Sequence, residues 1–179
     1  MKHFPTLFLI IAIVSACNVQ DNGKCTIKGV ITAEDKRDSC YIFLVPQGPH
    51  EACDVDSTLI LNGAFEFTAE KEQMAIIRVT KMRRYGTQDL LVVTEPGTVL
   101  VEIGNSSSCS GTRQNDSLQV WKTLTEQHNL NSRVANTEEE RQAYRNIYKK
   151  RSQSMAHALG DESTLGKFLL SLYPDRKQD

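Results

Sequence analysis

This sequence predicts a mainly β fold with α: an antiparallel β-sandwich or small barrel over residues 25–112, followed by a helical region over 113–179. Three observations carry the expectation. Seven short strand-like runs lie between Cys25 and Gly104 with turn formers between them, the spacing of a sandwich or barrel. Two of those turns, Asn62-Gly63 and Pro96-Gly97, hold the residues that tight reversals require. Beyond Asn115 the apolar period changes from two to about 3.6, the helical value.

The first residues precede the fold. Met1-Lys2-His3-Phe4-Pro5 carries one fixed positive charge and gives way to an apolar run from Thr6 to Val14. A permanent membrane helix needs about twenty residues, so this run fits the apolar centre of a signal peptide. It ends in Val14-Ser15-Ala16-Cys17, which resembles the bacterial lipobox: an aliphatic residue, two small residues and a cysteine. The resemblance implies a signal peptide over 1–16, diacylglycerol on the Cys17 thiol and acylation of the new N-terminus, with 17–24 as the lipidated end and linker. An ordinary signal peptide with an incidental Cys17 is the alternative. Burial of lipid contributes about 0.8 kcal/mol per methylene, so several chains on one residue make release from a membrane rare. Asn18 does not resemble the aspartate that marks inner-membrane retention, which points to the outer membrane and leaves the face open.

The strands follow in order. Thr26–Ile31 alternates and stops at the charged turn Glu34–Asp38. Cys40–Val45 is apolar and ends at Pro46, which cannot donate to a sheet ladder. A loop from Gln47 to Asp56 leads to Thr58–Leu61, then Asn62-Gly63, then Ala64–Phe67. An Asn-Gly pair between strand-like runs is the preferred two-residue hairpin because both positions take positive φ. Met74–Thr80 is a further strand, and Leu90–Glu95, Pro96-Gly97 and Thr98–Ile103 read as a second hairpin. In the helical part, Leu118, Trp121 and Leu124 share a face, with Asn115 or Asp116 as the expected cap. Asn129–Asn136 is polar and breaks the pattern. Thr137-Glu138-Glu139-Glu140 is a capping box for a second helix, whose stripe of Tyr144, Ile147, Tyr148, Met155 and Leu159 ends at Gly160. Leu165, Phe168, Leu169 and Leu172 mark a third, short helix.

Composition excludes some classes of function. The chain has 21 Lys and Arg against 22 Asp and Glu. Removing residues 1–16 takes away Lys2 alone, so the mature protein carries a net charge of about −2, with no electrostatic footprint for nucleic acid. The short basic cluster Lys81-Met82-Arg83-Arg84 reads as a solvated strand end. Besides Cys17 there are four cysteines, Cys25, Cys40, Cys53 and Cys109. In an oxidising compartment an even number points to one or two structural disulfides, with free, partly buried thiols as the alternative. None is spaced Cys-x-x-Cys, which excludes a local redox pair and the usual zinc knuckle.

No catalytic constellation emerges, and no metal or cofactor is expected. Of His3, His50, His128 and His157, only His50 has company, in a loop with Glu51, Cys53, Asp54 and Asp56 that reads as exposed and polar. Ser106–Thr112 lacks the Gly-x-Ser-x-Gly and Gly-Lys-Ser/Thr patterns and reads as a strand-to-helix connection. Within it, Cys109 would be a reactive thiol if exposed at a helix N-terminus. Trp121 is expected to anchor the helix to the sheet rather than to serve as a ligand platform.

Several short segments also carry a family resemblance. They are Ile27-Lys28-Gly29, Asp56-Ser57-Thr58, Asn62-Gly63-Ala64-Phe65-Glu66-Phe67, Glu95-Pro96-Gly97, Ser110-Gly111-Thr112 and Asn115-Asp116. In this order and spacing, over roughly residues 25–120, they make the chain similar to a domain of unknown function typical of lipoproteins from Bacteroidetes. There the domain commonly precedes a thioredoxin-like domain in envelope thiol-disulfide proteins. This chain reaches Asp179 without Trp-Cys-x-x-Cys, so the resemblance implies the accessory module without its enzyme. The expected function is a non-catalytic binding or accessory module of the envelope, held to the membrane through Cys17, with a protein, peptide or glycan partner. The alternative is an accessory role in envelope thiol-disulfide exchange, either docking to a separate thioredoxin-like protein or exchanging disulfides through Cys109 and its neighbours.

Overall fold

The computed structural model describes residues 23–32, 39–79 and 89–175. The signal segment, Cys17, the charged turn at 34–38 and the basic cluster at 81–84 lie outside the described residues. Among the described residues eight strands form: β1 (Cys25–Ile31), β2 (Tyr41–Pro46), β3 (Asp56–Leu59), β4 (Ala64–Ala69), β5 (Met74–Arg78), β6 (Leu90–Val93), β7 (Gly97–Ile103) and β8 (Ser108–Ser110). Three helices follow: α1 (Arg113–Val134), α2 (Glu138–Leu159) and α3 (Thr164–Leu172). The strands make two sheets, ordered β4-β1-β7-β8 and β3-β2-β5-β6. The architecture is therefore a sandwich and not a closed barrel.

Alternation sets the inner faces. In β1, Cys25, Ile27, Gly29 and Ile31 are buried while Lys28 and Val30 are exposed; in β7, Val99, Val101 and Ile103 are buried. These two strands pair in parallel, Ile27 opposite Val99 and Gly29 opposite Val101, whereas every other named pairing is antiparallel. A parallel pair needs a long crossover, and the chain between β1 and β7 supplies it by building β2, β3, β5 and β6 of the other sheet. The Phe65 ring lies on Gly29, where an added Cβ would meet Phe65 Cζ at 2.0 Å.

The expected Asn62-Gly63 turn forms without closing an ordinary hairpin, and the expected Pro96-Gly97 hairpin does not form. Asn62 and Gly63 adopt φ of 53° and 74°, and Leu61 and Ala64 exchange backbone bonds of 2.9 and 3.0 Å across them. The flanking strands then separate, β3 to the edge of one sheet and β4 to the edge of the other, so the turn stitches the sandwich along one open side. Pro96-Gly97 closes no hairpin at all. β6 pairs only with β5, while β7 sits between β1 and β8 in the other sheet. Gly97, at φ 116°, turns the chain across the gap, and its N–H donates to the Lys24 carbonyl at 3.0 Å.

The helices depart from expectation at both ends of α1. Its N-cap position is Thr112, ahead of Asn115 and Asp116. It also runs through the polar stretch after Asn129 to Val134. That stretch holds neither Gly nor Pro, and one-turn bonds such as Gln127 to Asn131 at 2.7 Å support it. At α2, Thr137 Oγ1 accepts from the Glu140 N–H at 3.1 Å, and Glu140 reaches back to the Asn136 N–H at 2.8 Å. Its buried face is Tyr148, Ser152 and Ala156, two of them small, which lets α1 and α3 approach closely; Ile147 is half exposed. Leu118, Ala156, Leu165 and Leu169 join the same core as the strands, so the helices pack on the sandwich.

Candidate functional site

The site begins with how α1 is seated. α1 lies against β8 and β6, the edge strands on the side opposite the Asn62-Gly63 stitch. An edge exposes unpaired backbone groups, and here side chains of α1 meet them. Asn115, fully buried, accepts from the Val93 N–H at 2.9 Å and donates to the Val93 carbonyl at 2.8 Å. Its amide thus stands in for the peptide group of a neighbouring strand. Gln119 Oε1 accepts from the Cys109 N–H at 3.3 Å, and the Lys122 ammonium donates to the Ser107 carbonyl.

The start of α1 is held by Glu95, from the link between β6 and β7. Its Oε1 accepts from the N–H groups of Gln114 and Asn115 at 2.6 and 3.2 Å, satisfying two of the donors a helix N-terminus leaves open and opposing its positive dipole end. Gln114 extends this network. Its amide donates to Glu72 and Glu95 and accepts from the Leu165 N–H at 2.8 Å, while Thr164 also bonds Glu72 at 2.7 Å. One buried glutamine therefore ties α1, α3 and two interstrand loops together. Gly111 permits the turn into α1: its φ is 97°, and a Cβ there would lie 2.6 Å from the Thr98 carbonyl.

Farther along α1 a cleft of about 470 Å³ opens, with Leu90, Leu91, Leu118 and Trp121 in its walls and Asp89, Gln119, Lys122 and Glu126 among its polar groups. Apolar walls with a few placed polar groups are the usual composition of a ligand site. Trp121 is only partly buried; its Nε1 donates to Ser152 at 3.1 Å, and its ring meets Phe168 edge-on at 6.0 Å. It anchors helix to helix and also lines the cleft, where the sequence had placed it between helix and sheet. Asp89 is ion-paired with Arg78 at 3.1 Å.

The described cysteines are all free, so no disulfide joins them. The strand registers give the reason. Cys25 lies opposite Gly97 and Cys109 opposite Val101, on the two flanks of β7, which puts their Cα atoms roughly 16 Å apart by strand spacing. A disulfide needs about 4.4–6.8 Å. Cys40 and Cys53 are exposed at opposite ends of the β2–β3 pair. Cys109 is in the cleft wall but buried, and burial pushes its thiol up to about 11, with Lys122 lowering it and Asp116 raising it. Cys25 is also raised to about 11, by burial and then by the Glu95 charge. A helix N-terminus does not activate Cys109, because desolvation outweighs it.

The other sequence candidates are taken up by structure. In the His50 loop, His50 Nδ1 bonds the Gly48 carbonyl at 2.7 Å, and Glu51 and Asp54 cap a 3₁₀ turn over Ala52–Asp54. Among the described residues no group of three or more His, Cys, Asp or Glu side chains is placed to hold a metal ion. Within the serine-rich stretch, Ser108–Ser110 form β8 and Ser107 bonds Gly104. His157 does have carboxylate partners, Asp161 at 2.7 Å and Asp175 at 3.4 Å. Reading the stretch as separate elements had hidden the one-turn spacing to Asp161. Gln119, Lys122 and Glu126 were also missed; their signal is a polar stripe beside Leu118, Trp121 and Thr125, at helical period.

Residues 25–118, more than half of the chain, match the family described as Domain of unknown function (DUF4369). The chain belongs to the DUF4369 family. No curated protein and no solved structure matches it. The DUF4369 region covers all eight strands and ends at Leu118, within α1. Two segments of that region that stand far apart in sequence, at Glu95 and at Gln114-Asn115, meet at the start of α1. No helix among the described residues is long and apolar enough to cross a membrane.

Proposed function

We propose that the chain is an envelope lipoprotein, anchored at the outer membrane by lipid on Cys17, whose folded part is a non-catalytic binding or accessory module. The observation that supports the binding role is the cleft between α1 and the edges of β6 and β8. Its walls suit an apolar side chain of a protein or peptide partner, or the apolar face of a glycan, and its lining thiol is buried and protonated at neutral pH. The anchor is supported by the order of charge, apolar run, small residues and cysteine in residues 1–17.

Trp121 is the sole tryptophan and stands in the cleft wall, so its fluorescence reports occupancy. Titration with a panel of envelope peptides and oligosaccharides should give a saturable change in emission for the class that binds. A panel that never moves it counts against the cleft.

A second reading follows from the exposed free thiols of Cys40 and Cys53. In it the module, in the manner of lipoproteins from Bacteroidetes that pair this domain with a thioredoxin-like one, assists a separate thioredoxin-like partner in thiol-disulfide exchange. Insulin reduction and mixed-disulfide trapping separate the two. The favoured reading expects insulin reduction no faster than in buffer and no trapped partner; a mixed disulfide through Cys40 or Cys53 with a thioredoxin-like protein, or turnover by the isolated protein, selects the second.

A further inference from the structure

A second cavity of about 470 Å³ lies between α1 and α2, apart from the cleft and sharing only Thr125 with it. His128 and Asn129 of α1, Arg145, Asn146 and Lys149 of α2, and Tyr173 beyond α3 line it, and no carboxylate does. That imbalance is local, because the whole chain is almost neutral.

The charges on α2 sharpen the point. Arg141, Arg145 and Lys149 follow one another at four-residue steps, so they share a face and repel. Glu138 compensates the first two, bonding Arg141 at 3.3 Å and also pairing with Arg145. Lys149 has no ion-pair partner among the described residues. Gln142 holds the Arg145 guanidinium through Nε and Nη2 at 3.2 and 2.9 Å, which leaves its Nη1 without a partner among the described residues. The Asn129 side chain and Asn146 Nδ2 likewise make no hydrogen bond there.

One wall is a stacked pair of rings. The His128 ring stacks on Tyr148, centroids 4.5 Å apart and planes 3° from parallel, and its buried Nδ1 has no hydrogen-bond partner. The Tyr148 hydroxyl bonds Thr125 at 2.8 Å and also the Tyr173 hydroxyl. Its own burial closes the His128 Nδ1 off from the cavity, so His128 gives its ring to the wall and not that nitrogen.

We propose that this cavity binds a small organic oxyanion, a carboxylate or phosphate carried on a hydroxylated body of about the size of one sugar ring. Lys149 and Arg145 meet the anionic group, Asn129 and Asn146 meet hydroxyls, and the rings of His128 and Tyr173 face the body of the ligand. The volume lies within the range of small-molecule sites, and the donor set discriminates against cations and against bodies with no anionic group. The proposal is independent of what the cleft holds.

The test uses the full chain purified in a mild neutral detergent, titrated calorimetrically at low salt with glucuronate, glucose 6-phosphate, inorganic phosphate and glucose. Saturable binding of glucuronate or glucose 6-phosphate is expected, with inorganic phosphate competing and glucose silent. Lys149→Gln should weaken it by at least about tenfold, and Lys150→Gln, exposed on the same helix, should leave it unchanged. The His128 ring resonances should shift on addition of the bound anion, a readout that needs no variant. No saturable binding up to about 10 mM, equal binding of glucose, or equal weakening by both lysine variants overturns the proposal.

Discussion

Replacing Asn115 by leucine tests how the helical part is joined to the sandwich. The two side chains share a branched heavy-atom skeleton, so Asn115→Leu removes the polarity, while its larger methyl groups add packing strain of their own. In the parent, Asn115 Oδ1 accepts from the Val93 N–H at 2.9 Å, while Nδ2 donates to the Val93 carbonyl and to Thr112 Oγ1, both at 2.8 Å. The site is fully buried, so water cannot replace these bonds. A buried donor left unpaired costs about 1–3 kcal/mol, and the orphaned carbonyl adds to it. A loss of about 3 kcal/mol is expected, which lowers the Tm of a chain this size by roughly 6–12 °C. Asp116→Asn is the local control, since it keeps the Oδ1 that accepts from the Gly111 N–H at 2.9 Å; it should change stability by less than about 1 kcal/mol. Urea unfolding gives the free energy, and hydrogen exchange at the Val93 amide reports the edge itself. If Asn115→Leu lies within about 0.5 kcal/mol of the parent and the Val93 amide stays protected, the side-chain amide is not what completes the edge of β6.

Other consequences can be checked independently. Gly29→Ala places a methyl in the Phe65 ring and should cost about 1–3 kcal/mol; in the double variant with Phe65→Leu the loss should be smaller than additive, and strict additivity in urea unfolding would contradict the contact. At pH 8 a thiol reagent should label Cys40 and Cys53 in the folded protein, while buried Cys25 and Cys109, both raised to about 11, react only after denaturation. The hydrogen bond and charge of Asp161, with Asp175 assisting, raise the pKa of His157 above its usual 6.5. This link therefore stabilises fully at pH below 6.5 and is lost as pH rises through the elevated folded value; an NMR titration of Asp161→Asn should return His157 toward 6.5, and an unchanged midpoint would refute the pairing.

Much of this fold was legible because its signals are local. The alternation of Ile27, Gly29 and Ile31 and of Val99, Val101 and Ile103 marks β1 and β7, and Asn62-Gly63 needs only its own dihedrals. The division into two sheets is not local. Whether Pro96-Gly97 folds β7 back on β6 or throws it across to β1 depends on which edges are already taken, and Asn115 takes one of them. β8 is three residues of Ser-Cys-Ser, too short and too polar for a strand pattern. The polar end of α1 persists because neither Gly nor Pro interrupts it. The cleft was invisible for a related reason: Leu91, Cys109 and Trp121 converge only when α1 is seated on both edge strands. Burial decides the chemistry of the thiols, and it follows from strand register rather than from cysteine spacing.

Intact-mass and fragment analysis of the N-terminal peptide, taken from cells that make and export the chain, addresses the anchor most directly. A polypeptide beginning at Cys17, carrying a thioether-linked diacylglyceryl group and recovered with the membranes, is the expected product. A bare sulfhydryl on that residue, cleavage at another bond, or recovery of the chain in the soluble fraction would contradict the account.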